Sequence, residues 1–354
     1  MSLKIQDFAL VACVALAILT ARAATAAQKP DARRLQERLD NASRKEGEAL
    51  VALVDASMAG RPVTTDFTIA WRNDFLKADP GTLVPFTITI DRGRVSAAAA
   101  LLYVRVARRG GAPATDSGRG ATFSKYAFDA MFPVELAAEP GQPIRITRGF
   151  AVRPGDYDVV VALRERPADP LAPDTRGLRS GLLRQSMTVP DFWIGPITTS
   201  SIMLASRIAQ LPAPLGPDEV LERPYAVGSQ EIVPAEGGRF RRDNELIVVF
   251  LIYNQRITLE DGFDVTVDYH VFRRGAPGAG RSEETYVTRT TPQRFNPTTM
   301  GVALDRATAQ PVLAGQGILL SSFEEGDYRI GITVTDWLSR TTISRDVTFT
   351  VAGS

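Results

Sequence analysis

The chain of 354 residues has one cysteine, Cys13, and one histidine, His270. One cysteine closes no intramolecular disulfide, and one of each builds neither a Cys/His zinc site nor a thioredoxin-type pair. Lysine is scarce, with five residues (Lys4, Lys29, Lys45, Lys77 and Lys125) and none after Lys125. The remaining bases are arginines that acids balance along the whole length, which reads as compositional bias rather than as selective anion recognition. Acids and bases number 40 and 41, a net charge of +1. That balance removes the general electrostatic case for nucleic acid. No apolar run reaches the ~20 residues that a membrane-spanning helix needs. A G-x-S-x-G elbow, a phosphate-binding G-x-x-x-x-G-K-[ST] loop, a dinucleotide G-x-G-x-x-G between strand and helix, and an acidic calcium loop are all missing.

What is present begins with an export pattern. Lys4 precedes the apolar run from Phe8 to Leu19, and small residues follow from Ala21 to Ala27. That order predicts a signal peptide over residues 1–26, cleaved at Ala24-Thr25-Ala26, with Ala21-Arg22-Ala23 as the alternative site. Leu10-Val11-Ala12-Cys13 resembles a lipoprotein box, but the apolar run continues past Cys13 to Leu19, so Cys13 reads as part of the signal core. Cleavage leaves a cysteine-free, charge-neutral chain with no transmembrane anchor. The expected location is the periplasm or the medium of a bacterium.

The rest divides into three parts. Residues 27–60 read as a helical segment, with Leu35, Leu39, Ala42, Ala49, Leu50, Leu53 and Val54 mostly three or four apart and Gly47 as a possible break. After Gly60-Arg61-Pro62 the period changes to two. Phe67, Ile69 and Trp71 alternate; so do Val84, Phe86, Ile88 and Ile90, and then Tyr157, Val159, Val161 and Leu163. Short alternating runs between Gly/Pro/Asp turns predict an antiparallel β-sandwich over 61–192. A second is expected over 193–354, where Leu246 to Tyr253 is apolar on both faces and reads as a central, covered strand. Gly155-Asp156-Tyr157 recurs as Gly326-Asp327-Tyr328, each followed by alternating aliphatics, so the chain reads as two copies of one architecture.

The Gly-Asp-Tyr element resembles the turn into the penultimate strand of immunoglobulin-like and fibronectin-III-like domains, where a tyrosine folds back onto backbone. Longer stretches resemble a group of exported bacterial proteins of unknown function. They are Val189-Pro-Asp-Phe-Trp193, Thr198-Thr-Ser-Ser201, Thr291-Pro-Gln-Arg-Phe-Asn-Pro297, Phe323-Glu-Glu-Gly-Asp-Tyr-Arg329 and Val334-Thr-Asp336. Similar tails follow von Willebrand A-type domains in some relatives, but the D-x-S-x-S motif of that domain is missing. The resemblance spreads over much of residues 150–350 and implies a family fold; with the periodicity above, the expected fold is all-β, two tandem immunoglobulin-like sandwiches preceded by a helix. The resemblance implies no activity, substrate or site.

Chemistry is sparse. By period two, His270 shares a strand face with Asp264, Thr266 and Asp268, a polar face more in keeping with solvent than with catalysis. Acids that could pair at one end of a sandwich are Glu260-Asp261, Asp264, Glu283-Glu284 and Glu324-Glu325-Asp327; a glycosidase would hold two of them ~5–10 Å apart. Candidate binding residues are Trp337 and Leu338 in a hairpin connection, and Phe192 and Trp193 at the domain boundary, where interdomain packing competes with recognition. The sequence therefore predicts no cofactor, no metal and no catalytic residue. The expected function is non-catalytic binding or scaffolding in the cell envelope, with another envelope protein or a glycan as partner.

Overall fold

The computed structural model describes residues 30–353 except 80, 111–124, 140, 170, 172–176, 261, 276–282 and 302–309. The expected signal peptide and Cys13 lie outside the described residues. The chain is mostly β, with one long helix ahead of two sandwiches. Helix α1 spans Pro30–Met58. Eight strands follow: β1 (Ala70–Asn73), β2 (Leu76–Lys77), β3 (Thr82–Ile90), β4 (Ala99–Arg108), β5 (Phe128–Glu135), β6 (Ile144–Val152), β7 (Gly155–Glu165) and β8 (Ser180–Val189). β3 pairs with β6 along its whole length and with β1 and β2 in succession, and the facing sheet runs β5-β4-β7-β8. Pro85, which has no N–H to give, sits where the partner of β3 changes from β2 to β1.

The second sandwich holds β9 (Thr198–Thr199), β10 (Met203–Gln210), α2 (Pro217–Glu222), β11 (Ala226–Val227), β12 (Gln230–Pro234), β13 (Arg239–Arg241) and β14 (Glu245–Tyr253). It continues with β15 (Val265–Arg273), β16 (Thr285–Arg289), β17 (Gln293–Phe295), α3 (Pro297–Met300), β18 (Val312–Leu319), β19 (Gly326–Asp336) and β20 (Thr341–Ala352). One sheet runs β11-β12-β10-β14-β18 with β9 on β14, and the other runs β13-β20-β19-β15-β16 with β17 on β15. Every ladder is antiparallel except β13 on β20. The first sandwich has a reduced counterpart, a single parallel bridge from Phe67 to Gly181 on β8.

Alternation decides what each sheet buries. Phe86 and Ile88 of β3, Leu102 and Val104 of β4, and Val159 and Val161 of β7 fill the first core. Val248 and Phe250 of β14, Val267 and Tyr269 of β15, and Ile330 and Ile332 of β19 fill the second. Each such side chain stabilises the fold by about 1.5–3 kcal/mol on burial, which a disulfide-free chain must rely on.

The Gly-Asp-Tyr repeat is a repeat in geometry as well. Gly155 and Gly326 adopt φ of 144° and 145°, open to glycine and rare for other residues. The side chains of Arg108 and Arg273 lie over them. Thr188 Oγ1 donates to Asp156 Oδ1 and Thr350 Oγ1 to Asp327 Oδ1, both at 2.6 Å. The tyrosine hydroxyls of Tyr157 and Tyr328 close the corner, donating to the carbonyls of Arg153 and Glu324.

Helix α1 lies across the outer face of the β5-β4-β7-β8 sheet, so β7 is covered on both sides. Leu50 and Val54 pack on Tyr103, Val160 and Ala162. Gly47 does not break the helix; a Cβ there would stand 3.1 Å from Met131 Sδ, so glycine permits close approach to β5. Arg105, almost wholly buried under the helix, pairs with Asp55 of α1 and hydrogen-bonds the Tyr103 hydroxyl. It also donates to the Tyr126 hydroxyl at 3.2 Å and stands 3.5 Å from Asp129. The early part of the stripe is not docked in this way, and Leu35 is exposed.

A third core joins the sandwiches. The second face of β14, with Val249, Leu251 and Tyr253, packs with Met203, Ile232 and Tyr225 against Leu76, Leu83 and Phe192. Polar contacts fix the same junction. Lys77 N donates to Tyr253 Oη (3.0 Å), Phe75 N to Ser201 Oγ (2.9 Å) and Tyr225 Oη to Asp74 Oδ2 (2.7 Å).

Candidate contact surface

β19 ends at Asp336, which is fully buried although it opens a surface turn. Its Oδ1 accepts from Leu338 N (3.0 Å) and Ser339 N (3.2 Å), and its Oδ2 from Ser339 Oγ (2.7 Å) and Arg256 N (2.8 Å). One carboxylate thus ties the Trp337–Arg340 turn to the connection between β14 and β15. Trp337 N donates to Asp264 O (2.9 Å), and its indole Nε1 donates to Thr266 Oγ1 (2.7 Å). The ring is therefore fixed, yet 56% exposed. Leu338 is exposed beside it in sequence, and Leu259 in the tied connection is 84% exposed.

Trp193 is held by other means. Its Nε1 donates to the carbonyls of Ala78 (3.1 Å) and Gly81 (3.0 Å), and Lys77 Nζ lies 4.2 Å above the ring. Burial pushes the Lys77 amine down, and Asp191 opposes that shift. The ring remains 43% exposed, and Ile194 after it is 75% exposed. Asn254 Nδ2 reaches Pro196 O at 3.5 Å, so this segment and the β14–β15 connection meet at one end of the second sandwich. Phe192 offers no such surface. It is 3% exposed and packs on Tyr253 with ring centroids 4.9 Å apart. Three of the four sequence candidates are thus exposed, and Phe192 belongs to the third core.

The acids read as possible partners fall at two ends of the sheet, and four of them are taken by arginine or threonine side chains. Asp264 makes two bonds to Arg294, Glu324 pairs with Arg273, Glu284 pairs with Arg329, and Asp327 accepts from Thr350. Asp264 lies by the Asp336 end of β19 and Glu324 by the Gly326 end, about 30 Å apart at ~3.3 Å per residue. Asp261 lies outside the described residues. Among the described residues no three of His, Cys, Asp and Glu gather as a metal site would require. His270 is half-buried on the outer face of its sheet, with ring centroids 6.5 Å from Phe272 and 6.3 Å from Tyr286.

No family model and no curated protein matches the chain. Among solved structures it is similar to a DUF4785 family protein from Legionella pneumophila subsp. pneumophila str. Philadelphia 1. The identity is 6% over 77% of this chain and 53% of that one, with a TM-score of 0.22, so the chain spans about half of that structure's length. No helix among the described residues is long and apolar enough to cross a membrane.

Sequence reasoning missed the buried charges. Asp336, Glu165 at the matching end of β7, Asp74 and Arg105 are all buried, and no sequence pattern marked them as such. Glu165 accepts from the backbone N–H groups of Ser96, Ala97 and Arg179. Burial works against its charge, but those donors hold its carboxyl below the ordinary value. Asp74 moves the other way: burial raises it more than Arg72, Tyr225 and Ser201 lower it.

Proposed function

We propose that the protein is a non-catalytic, exported envelope component that binds another protein or scaffolds an assembly through the loop end carrying Trp337. The observation behind this reading is a single one, an indole that is hydrogen-bonded in place and still more than half exposed. A ring ordered before binding loses little entropy on contact, and aromatic anchors carry much of the energy of interfaces. Leu338 follows Trp337 in sequence and Leu259 lies in the tied connection, both exposed, and the Asp336 carboxylate holds the two segments in register. The export pattern and the resemblance to exported bacterial proteins agree with an envelope partner.

The test is a photo-crosslinking residue placed at Leu338 in the producing cell, with Thr348 as control. A discrete protein adduct from Leu338 that Trp337→Ala removes supports the reading. Adducts equal at both positions, or unaffected by Trp337→Ala in a folded protein, overturn it.

A second reading, glycan binding, is favoured by the aromatic row on the outer face of β15 and β16. Phe272 and Tyr286 meet at 5.8 Å, His270 stands beside both, and Tyr286 is exposed. Sugar rings stack on such faces. A polysaccharide panel probed with the protein and with Tyr286→Ala decides it, and no binding to any glycan sinks it.

A further inference from the structure

Helix α1, the end of β7 and Leu171 and Leu178 beyond it border an open pocket of about 570 Å³, within the about 300–1,000 Å³ of small-molecule sites. Arg38, Ala42, Lys45 and Ala49 line it from one face of the helix, at spacings of four, three and four. Arg164 lines it from β7, and Leu101 from β4. The two alanines leave open the space that a larger side chain would fill.

The charges on this wall do not cancel. Glu46 is taken by Arg166 at 2.9 Å, and Glu165 is turned to the backbone donors described above. Arg38, Lys45 and Arg164 have no acidic partner among the described residues. Among the described residues, three cations thus stand around an apolar floor with no carboxylate within ion-pair distance.

We infer that this pocket binds a small amphipathic anion, with a carboxylate or phosphate head on Arg164 and Lys45 and an unbranched apolar body along Ala42, Ala49 and Leu101. A guanidinium and an ammonium donate charge-assisted hydrogen bonds to such a head, and the floor takes up the body. The site lies on the first sandwich, and the Trp337 end belongs to the second, so the two readings stand or fall separately.

The test is calorimetric titration of the full chain with dodecanoate, dodecyl phosphate and dodecanol, each below its micelle-forming concentration. The expected result is saturable one-to-one binding of one or both anions and none of dodecanol. Preference between the anions then identifies the head as carboxylate or phosphate. Arg164→Gln weakens binding by about tenfold or more, the loss expected for one charge-assisted bond. Ala49→Leu, which keeps a good helix former, weakens it by filling the floor, while the remote Arg207→Gln leaves it unchanged. Thermal melts show that each variant is folded. Absence of saturable binding, equal binding of dodecanol, or unchanged affinity in folded Arg164→Gln and Ala49→Leu overturns the inference.

Discussion

Tyr157 and Tyr328 hold the same hydrogen bond in the two sandwiches, each donating its hydroxyl to the carbonyl four residues upstream, at 2.8 Å and 2.7 Å. Each bond pins the start of a penultimate strand to the corner before it. Tyr157→Phe and Tyr328→Phe should each lose about 0.5–1.5 kcal/mol of stability in urea titrations. The residues share no partner, so the double variant should lose the sum to within about 0.5 kcal/mol. Losses that fail to add would mean that the two corners are coupled.

Arg105 locks helix α1 to its sheet. Arg105→Ala removes its bonds to the Tyr103 hydroxyl and Asp55 and leaves an unfilled space under the helix, and should cost about 1.5–3 kcal/mol. Asp55→Asn should cost less, because Asp55 is half in solvent. Proteolysis of Arg105→Ala should begin within residues 30–58. First cleavage inside either sandwich would contradict this role.

Two of the buried carboxylates, Glu165 and Asp74, give stability opposite dependences on pH. Glu165 is held below its ordinary value of 4.5 in the folded chain, so its contribution is complete above that value and is lost as pH falls through the lower, folded one. The deficit of Glu165→Gln against the parent should therefore shrink between about pH 7 and about pH 3. Asp74 is raised above 3.8, so the folded state holds the extra proton and stability falls as pH rises through that window. Asp74→Asn should gain on the parent between about pH 3 and about pH 7. Parallel pH profiles for the two variants would refute the assignment.

The third core should make the sandwiches unfold together. Phe192→Ala removes a buried ring from the junction and should cost about 3–5 kcal/mol. Calorimetry of the parent should show one transition, and that of the variant should separate toward two. A parent that already shows two well-resolved transitions would mean that the junction contributes little.

Much of this architecture was legible because period-two patterning reports the buried face of a strand directly. Leu246 to Tyr253, apolar on both faces, read as central and covered, and its second face lies in the junction. The Gly-Asp-Tyr repeat read as a duplicated corner because only glycine suits the φ at its start. What local pattern cannot report is which distant element covers a polar face. Arg105 alternates like an exposed strand residue, and α1 lies over it. Gly47 read as a possible helix break, and its missing side chain instead admits Met131. Asp336 ends Val334-Thr-Asp336 in sequence, and nothing local reveals that four donors from two loops converge on it. Phe192 and Trp193 are adjacent and similar in kind, yet only the placement of Tyr253 and Lys77 assigns one to the junction and the other to the surface.

The parallel strand β13 has a consequence for how the molecule keeps to itself. With β19 along one edge and β13 along part of the other, the last strand has lost part of the free row of donors and acceptors on which a foreign strand could build. In the first sandwich the described residues pair with the same position only at its start, through the Phe67–Gly181 bridge and Asp66 on Ser180, which leaves β8 an open margin among the described residues along Arg184, Gln185 and Ser186. Those side chains are polar and exposed, which discourages strand addition. The two copies of one architecture therefore solve the same aggregation hazard differently, the second by adding a backbone partner and the first by the chemistry of its side chains.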